Sequence, residues 1–151
     1  MHYHPIGQKL VDKRISITSL KALFNDFASS VVSSGADYSG KTAIVTYDQD
    51  SLSLDIDFID TKLKCLLLTL DDGDQVNGHI AVYRLNFGLN NANVFVGELV
   101  FNQDGMVLDK LSIIEEKPTI FINISKADIF LRLLNMAHDV TAAMPYVTLK
   151  E

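Results

Sequence analysis

Hydrophobic positions along this chain change period twice. Leu20, Leu23, Phe24, Phe27, Ala28 and Val31 recur at helical spacing, which predicts an amphipathic helix with Ser16, Thr18 or Ser19 as its N-cap and Gly35 placed to end it. Lys21, Asn25, Asp26 and Ser29 supply its wet face, and Ile15 and Ile17 are placed to staple the entry. From Lys41 the period falls to two. Residues 42–47 and 52–59 read as strands joined by the polar turn Asp48-Gln49-Asp50-Ser51, and Leu52, Leu54, Ile56 and Phe58 alternate strictly with Ser51, Ser53, Asp55 and Asp57. One face of that hairpin is therefore buried and the other wet, as in an antiparallel sheet. Residues 63–70 predict a third strand, and the continuous apolar run Cys65 to Leu68 points to a central or doubly covered position.

Residues 76–91 satisfy two periods at once. Val76, Ile80, Tyr83 and Phe87 fit a helix, Ala81, Tyr83, Leu85 and Phe87 fit a strand, and the expectation taken here is a helix, against the β-branched and aromatic content. Residues 94–101 and 106–114 then form a hairpin around Asp104-Gly105, a strong turn signal because glycine reaches positive φ without steric cost. Glu115-Glu116-Lys117-Pro118 breaks the chain and residues 119–124 add a short strand. Ser125, with Asp128 three residues on, begins a last helix whose stripe runs Ala127, Phe130, Leu131, Leu134, Ala137 and Thr141, widened by Leu133, Met136, Val140 and Met144 until Pro145 stops it. The predicted fold class is α+β: one antiparallel sheet flanked by N- and C-terminal amphipathic helices, in a single domain spanning 1–151, with 1–15 as a flexible lead.

Composition narrows the function by exclusion. A net charge of −6 and a pI near 5.1 disfavour nucleic acid, since only Lys9, Lys13 and Arg14 cluster. The longest apolar run is too short to span a bilayer, and the mean hydropathy of +0.17 fits instead a chain with an interface to cover. No secretory signal pattern opens the chain, so the expected compartment is cytoplasmic. The single cysteine, Cys65, reads as a small buried hydrophobe. His2 and His4 alternate on a terminal tail without a third ligand, and His79 and His138 have no nucleophile beside them in sequence. The acidic loop at 71–78 departs from a calcium loop, with Asn77 at the sixth position and Tyr83 at the twelfth. Asp55 and Asp57 read as a solvated strand face. No cofactor, metal or enzymatic activity is expected, and a protein partner is.

The order helix, three strands, helix, two-strand hairpin, helix over about residues 19–141 resembles the small acidic chaperones of type III secretion. The local runs Leu85-Asn86-Phe87-Gly88, Gly97-Glu98-Leu99-Val100-Phe101 and Asp104-Gly105-Met106-Val107-Leu108 carry that resemblance together with size and acidity. It implies a homodimer that binds an extended segment of a client protein without ATP or metal. The implied client groove is Leu20, Phe24, Phe27 and Val31 on the first helix with Leu54, Ile56 and Phe58 on the adjoining strand, and the implied dimer interface is Ile80, Tyr83 and Phe87. The groove residues are also the natural core. Two other classes fit the sequence: an acidic inhibitor or immunity protein, whose aspartates between 48 and 74 steer it to a basic folded partner, and a helix-grip carrier of a small apolar ligand, which requires 76–91 to be strand.

Overall fold

A computed structural model describes residues 5–34, 36–38, 41–71, 73, 75–87, 89–108 and 120–143. Helix α1 (Pro5–Ser34) leads into strands β1 (Ala36–Tyr38), β2 (Lys41–Asp48), β3 (Ser53–Phe58), β4 (Thr61–Asp71), β5 (Val76–Arg84) and β6 (Val94–Phe101), and helix α2 (Lys126–Ala143) follows. The six strands form one antiparallel sheet in chain order, β1-β2-β3-β4-β5-β6. Beyond β6 the chain turns at Gly105 (φ 86°), where Asn102 Oδ1 accepts the N–H groups of Asp104 and Met106. Val107 then bridges back to Phe101, and Met106 bridges on to Phe121. The predicted hairpin is thus present as far as Leu108; residues 109–119 lie outside the described residues.

Both helices pack on the same side of the sheet. Leu20, Phe24, Phe27 and Val31 of α1 and Ile129, Phe130, Leu133, Leu134 and Ala137 of α2 meet Ala43, Leu54, Ile56, Leu63, Cys65, Leu67, Ile80, Val82, Leu99 and Phe101 in one core. The fit depends on missing side chains. A Cβ at Gly78 would come within 2.5 Å of the Phe101 ring, and one at Gly97 would stand 3.3 Å from Met136 Sδ. Polar ties fix the helices in place: Lys126 on α2 lies 3.0 Å from Asp26 on α1, and Arg84 donates to the Ala137 carbonyl at 3.2 Å while its guanidinium lies 4.0 Å over Phe87. Burial pushes the Arg84 pKa down, but a guanidinium stays charged, so the contact sets a cation against a carbonyl inside α2.

Three expectations are corrected. Residues 76–91 are not a helix. β5 occupies Val76–Arg84 with every position from Val76 to Val82 buried, and such a strand shows no clean alternation for the sequence to reveal. A 3-10 turn at Leu89–Asn91 follows. The resemblance to secretion chaperones drew on a helix here, and the helix-grip condition, a strand, is the one present. Second, α1 begins at Pro5 and not near Ser19. Ser16 and Thr18 are mid-helix residues whose hydroxyls donate to the carbonyls of Asp12 and Arg14, the back-bonded alternative to capping. Leu10, Val11 and Ile15 stay exposed, so this half of the helix has no stripe to betray it. Third, residues 120–124 hold one bridge at Phe121 and a turn in place of a strand, whereas β4 is the central strand expected, with Leu68 and Leu70 of its outward face each 45% exposed. At the start of α2, the Ser125 carbonyl accepts the Ile129 N–H, but its hydroxyl accepts from Phe121.

The β3–β4 turn carries strain. Ile59 (φ 50°) and Asp60 (φ 59°) both sit in the left-handed region, which a β-branched residue disfavours and which Asn-Gly adopts readily in two-residue hairpins. Replacing them by Ile59→Asn with Asp60→Gly is expected to raise the free energy of unfolding by about 1–2 kcal/mol, read from urea denaturation.

Candidate functional site

Register defines the side of the sheet that the helices leave open. In β3 and β4, Asp55 faces Lys64 and Asp57 faces Lys62, all pointing away from the helices because Leu54, Ile56, Leu63 and Cys65 point toward them. Lys64 Nζ stands 3.7 Å from Asp55 Oδ1, outside hydrogen-bond range, and that oxygen is buried without a hydrogen bond although about half of the side chain is exposed. A depression of about 340 Å³ opens here, lined by Ile44, Thr46, Asp55, Asp57, Lys62, Lys64 and Leu85 among others. Neither lysine belongs to a sequence motif. Only the register reveals their pairing with the aspartates.

Farther along the same face the lining turns apolar. Leu66 pairs with Ala81, Leu68 with His79 and Leu70 with Asn77, while His79 pairs with Val100 and Ala81 with Glu98 on β6. Asn77, His79 and Ala81 are buried and lie in register between the longer residues of the two flanking strands. The β5 row thus forms the floor between a wall of Leu66, Leu68 and Leu70 and a wall of Val100 and Glu98. His79 Nδ1 lies 3.2 Å from Glu98 Oε2, so the floor's imidazole is held to one wall. Phe95 is 53% exposed and stacks edge-on against Tyr83 at 5.5 Å. Leu108, 39% exposed, donates its N–H to the Val100 carbonyl and prolongs the apolar surface.

The residues expected to form a client groove are brought together, but inside the core. Leu20, Phe24, Phe27 and Leu54 are fully buried, and Val31, Ile56 and Phe58 are 8% exposed or less. A client could reach them only if the helix left the sheet. The three expected interface residues do not share a surface: Ile80 is buried beneath the helices, Tyr83 points outward beside Phe95, and Phe87 lies past the strand under Arg84. An interface built on a second helix is thereby removed, since that segment is extended. The space a helix-grip carrier would use is filled by Phe24, Phe27, Phe101 and Phe130.

Chemistry elsewhere is sparse. Burial pushes the Cys65 thiol far up, with Asp55 adding to the push, which suppresses the nucleophilic thiolate. Among the described residues no three His, Cys, Asp or Glu side chains gather as a metal site, and no helix is long and apolar enough to cross a membrane. His2, His4, Asp72 and Asp74 lie outside the described residues. Asp48 and Asp71 serve turns. Asp48 Oδ1 accepts the N–H groups of Asp50 and Ser51, and its hydrogen bonds with Ser51 hold its carboxyl below the usual range. Compared with known proteins, the chain matches no family model, no curated sequence and no solved structure.

Two outcomes follow from this placement. Phe24→Ala is expected to cost about 3–5 kcal/mol in urea unfolding, as a core residue should. The second concerns Asp71, which accepts a hydrogen bond from Lys13. That bond, followed by one from the Gly73 N–H, holds its carboxyl below the usual range. A carboxyl lowered by folding stabilises the fold above its unfolded pKa and loses that contribution as pH falls through the folded value. The stability gap between wild type and Asp71→Asn should hold steady above about pH 5, close progressively below about pH 4, and shrink with added salt because the pair is exposed.

Proposed function

We propose that this chain is a non-enzymatic protein-binding protein that receives an extended segment of a client on the outward face of its sheet. The observation that carries the reading is the row Leu66, Leu68 and Leu70 standing beside the sunken β5 row, with Leu68 and Leu70 each 45% exposed. Alternate residues of a strand recur every ~6.7 Å, so this row matches the spacing of alternate side chains in an extended client. Val100 and Leu108 continue the apolar surface on the far side of the floor. Large leucines exposed side by side, as Leu68 and Leu70 are, mark a surface that takes a partner.

The reading keeps client binding from the sequence and moves it from the inner face, where the candidate residues are core, to the outer one. A face with a sunken central row favours an extended segment over the protruding surface of a folded partner. His79 Nδ1 on it is already engaged by Glu98, so a client covering that nitrogen would not strand it.

The test places a photo-crosslinking residue at Leu68, at Leu70 and, as a control, at Lys21 on the exposed side of α1, and irradiates the full chain in extract of its native cells. Adducts confined to the two sheet positions and mapping to an unstructured stretch of one protein support the reading. Equal labelling from Lys21, or adducts mapping to a folded basic surface, sinks it. Leu68→Asp with Leu70→Asp is expected to abolish the adducts formed from a crosslinker at Leu66 while unfolding free energy moves by less than about 0.5 kcal/mol.

A further inference from the structure

The charged end of the outward face carries a second message, independent of where a client sits. Across it run two rows fixed by strand register: Ile44–Asp57–Lys62 and Thr46–Asp55–Lys64. Leu85 extends the first, since its N–H is bonded to the Lys62 carbonyl. Acid stands on β3 and base on β4 in both rows. A uniformly basic partner would meet Lys62 and Lys64, and a uniformly acidic one would meet Asp55 and Asp57. The surface that opposes neither carries the same alternation in reverse order.

Rotation of this face about a two-fold axis parallel to the strands, midway between β3 and β4, generates that surface. We propose that the outward face of β2–β4 is the interface of a two-fold homodimer, in which Asp55 and Asp57 of each copy meet the partner's Lys64 and the partner's Lys62. The same operation sets Ile44, 66% exposed, against the partner's Leu85, so the apolar ends of the row coincide as well. The depression of about 340 Å³ between them receives the incoming ammonium groups. Asp55 Oδ1, buried without a hydrogen bond and 3.7 Å from its own Lys64, gains a donor there. Sheets packed face to face lie about 10 Å apart, a distance long side chains span. Closed two-fold pairs are the commonest soluble oligomers, and their interfaces must be self-complementary in this sense.

The geometry also leaves the β5 and β6 side of the client end uncovered, with the partner's Leu68 one strand spacing aside from Leu68. β2 ends at Asp48, level with Ser53, and Ser53 is level with Leu66. Leu68 and Leu70 therefore project beyond the partner's hairpin.

The experiment is sedimentation equilibrium of the full chain with two charge-reversed variants, Asp55→Lys with Asp57→Lys and Lys62→Asp with Lys64→Asp. Wild type is expected to dimerise, and each variant alone to dimerise more than about tenfold more weakly, since reversal sets like charges against each other. An equimolar mixture should recover a heterodimer, because an all-basic face then meets an all-acidic one. Recovery on mixing also shows that both variants are folded. A wild type that stays monomeric at about 100 μM, variants that dimerise as tightly as wild type, or a mixture that stays monomeric while urea unfolding shows both variants folded would overturn the proposal. None of these substitutions touches Leu68 or Leu70, so loss of the dimer and loss of client adducts are separate results.

Discussion

The ring of Phe101 occupies the space where a side chain at position 78 would begin, and the inner face of the sheet, on which both helices pack, is built around that close approach. Because Gly78 yields its place, a large aromatic from β6 lies across β5 and levels the inner face of the sheet. Gly97 does the same for Met136 of α2. Four phenylalanines, Phe24, Phe27, Phe101 and Phe130, then close the interior with no exposure above 1%. Aromatic side chains supply much of the apolar area a small domain can bury, and in this chain they are concentrated on one side. Burial there is complete enough that the other side of the sheet is left to make its own arrangements.

Those arrangements differ from end to end. Near the β3–β4 turn the outward face is charged in alternating columns; near the β4–β5 turn it is apolar around a sunken row. A single sheet thus presents two surfaces of different chemistry, separated along the strand direction by the row of Ser53, Leu66 and Ala81. Charged columns discriminate by sign and order, giving specificity more than strength. The apolar end discriminates by shape and spacing alone.

The hairpin of β2 and β3 and the final helix were legible because each has one wet face and one dry one, so Leu54, Ile56 and Phe58, or Phe130, Leu134 and Ala137, recur at a period that names the element. Asp104-Gly105 was legible because its chemistry is local. β5 was not, since burial of both faces erases alternation and leaves Val76, Ile80 and Tyr83 compatible with a helical repeat. The first half of α1 was hidden for the opposite reason: Leu10, Val11 and Ile15 are exposed, and a helix wet on all sides has no stripe. The candidate site was least legible of all. An apolar run such as Cys65 to Leu68 shows what a strand contains but not which of its faces the helices will cover, and the pairing of Lys62 and Lys64 with two aspartates exists only once β3 and β4 are in register.

The order of strands in space repeats their order along the chain, and this has a kinetic meaning. Each pairing from β2 through β6 closes a loop between immediate neighbours, so the sheet can grow hairpin by hairpin without waiting for distant segments to meet. The long-range steps are the arrivals of α1 and α2, which begin and end the described chain. Until both have docked, the inner face with its row of leucines, isoleucines and phenylalanines stands as bare as the outer one. A nascent molecule is therefore briefly apolar over one side of the sheet and at one end of the other, and the rate at which its two helices settle governs how long it is prone to aggregate.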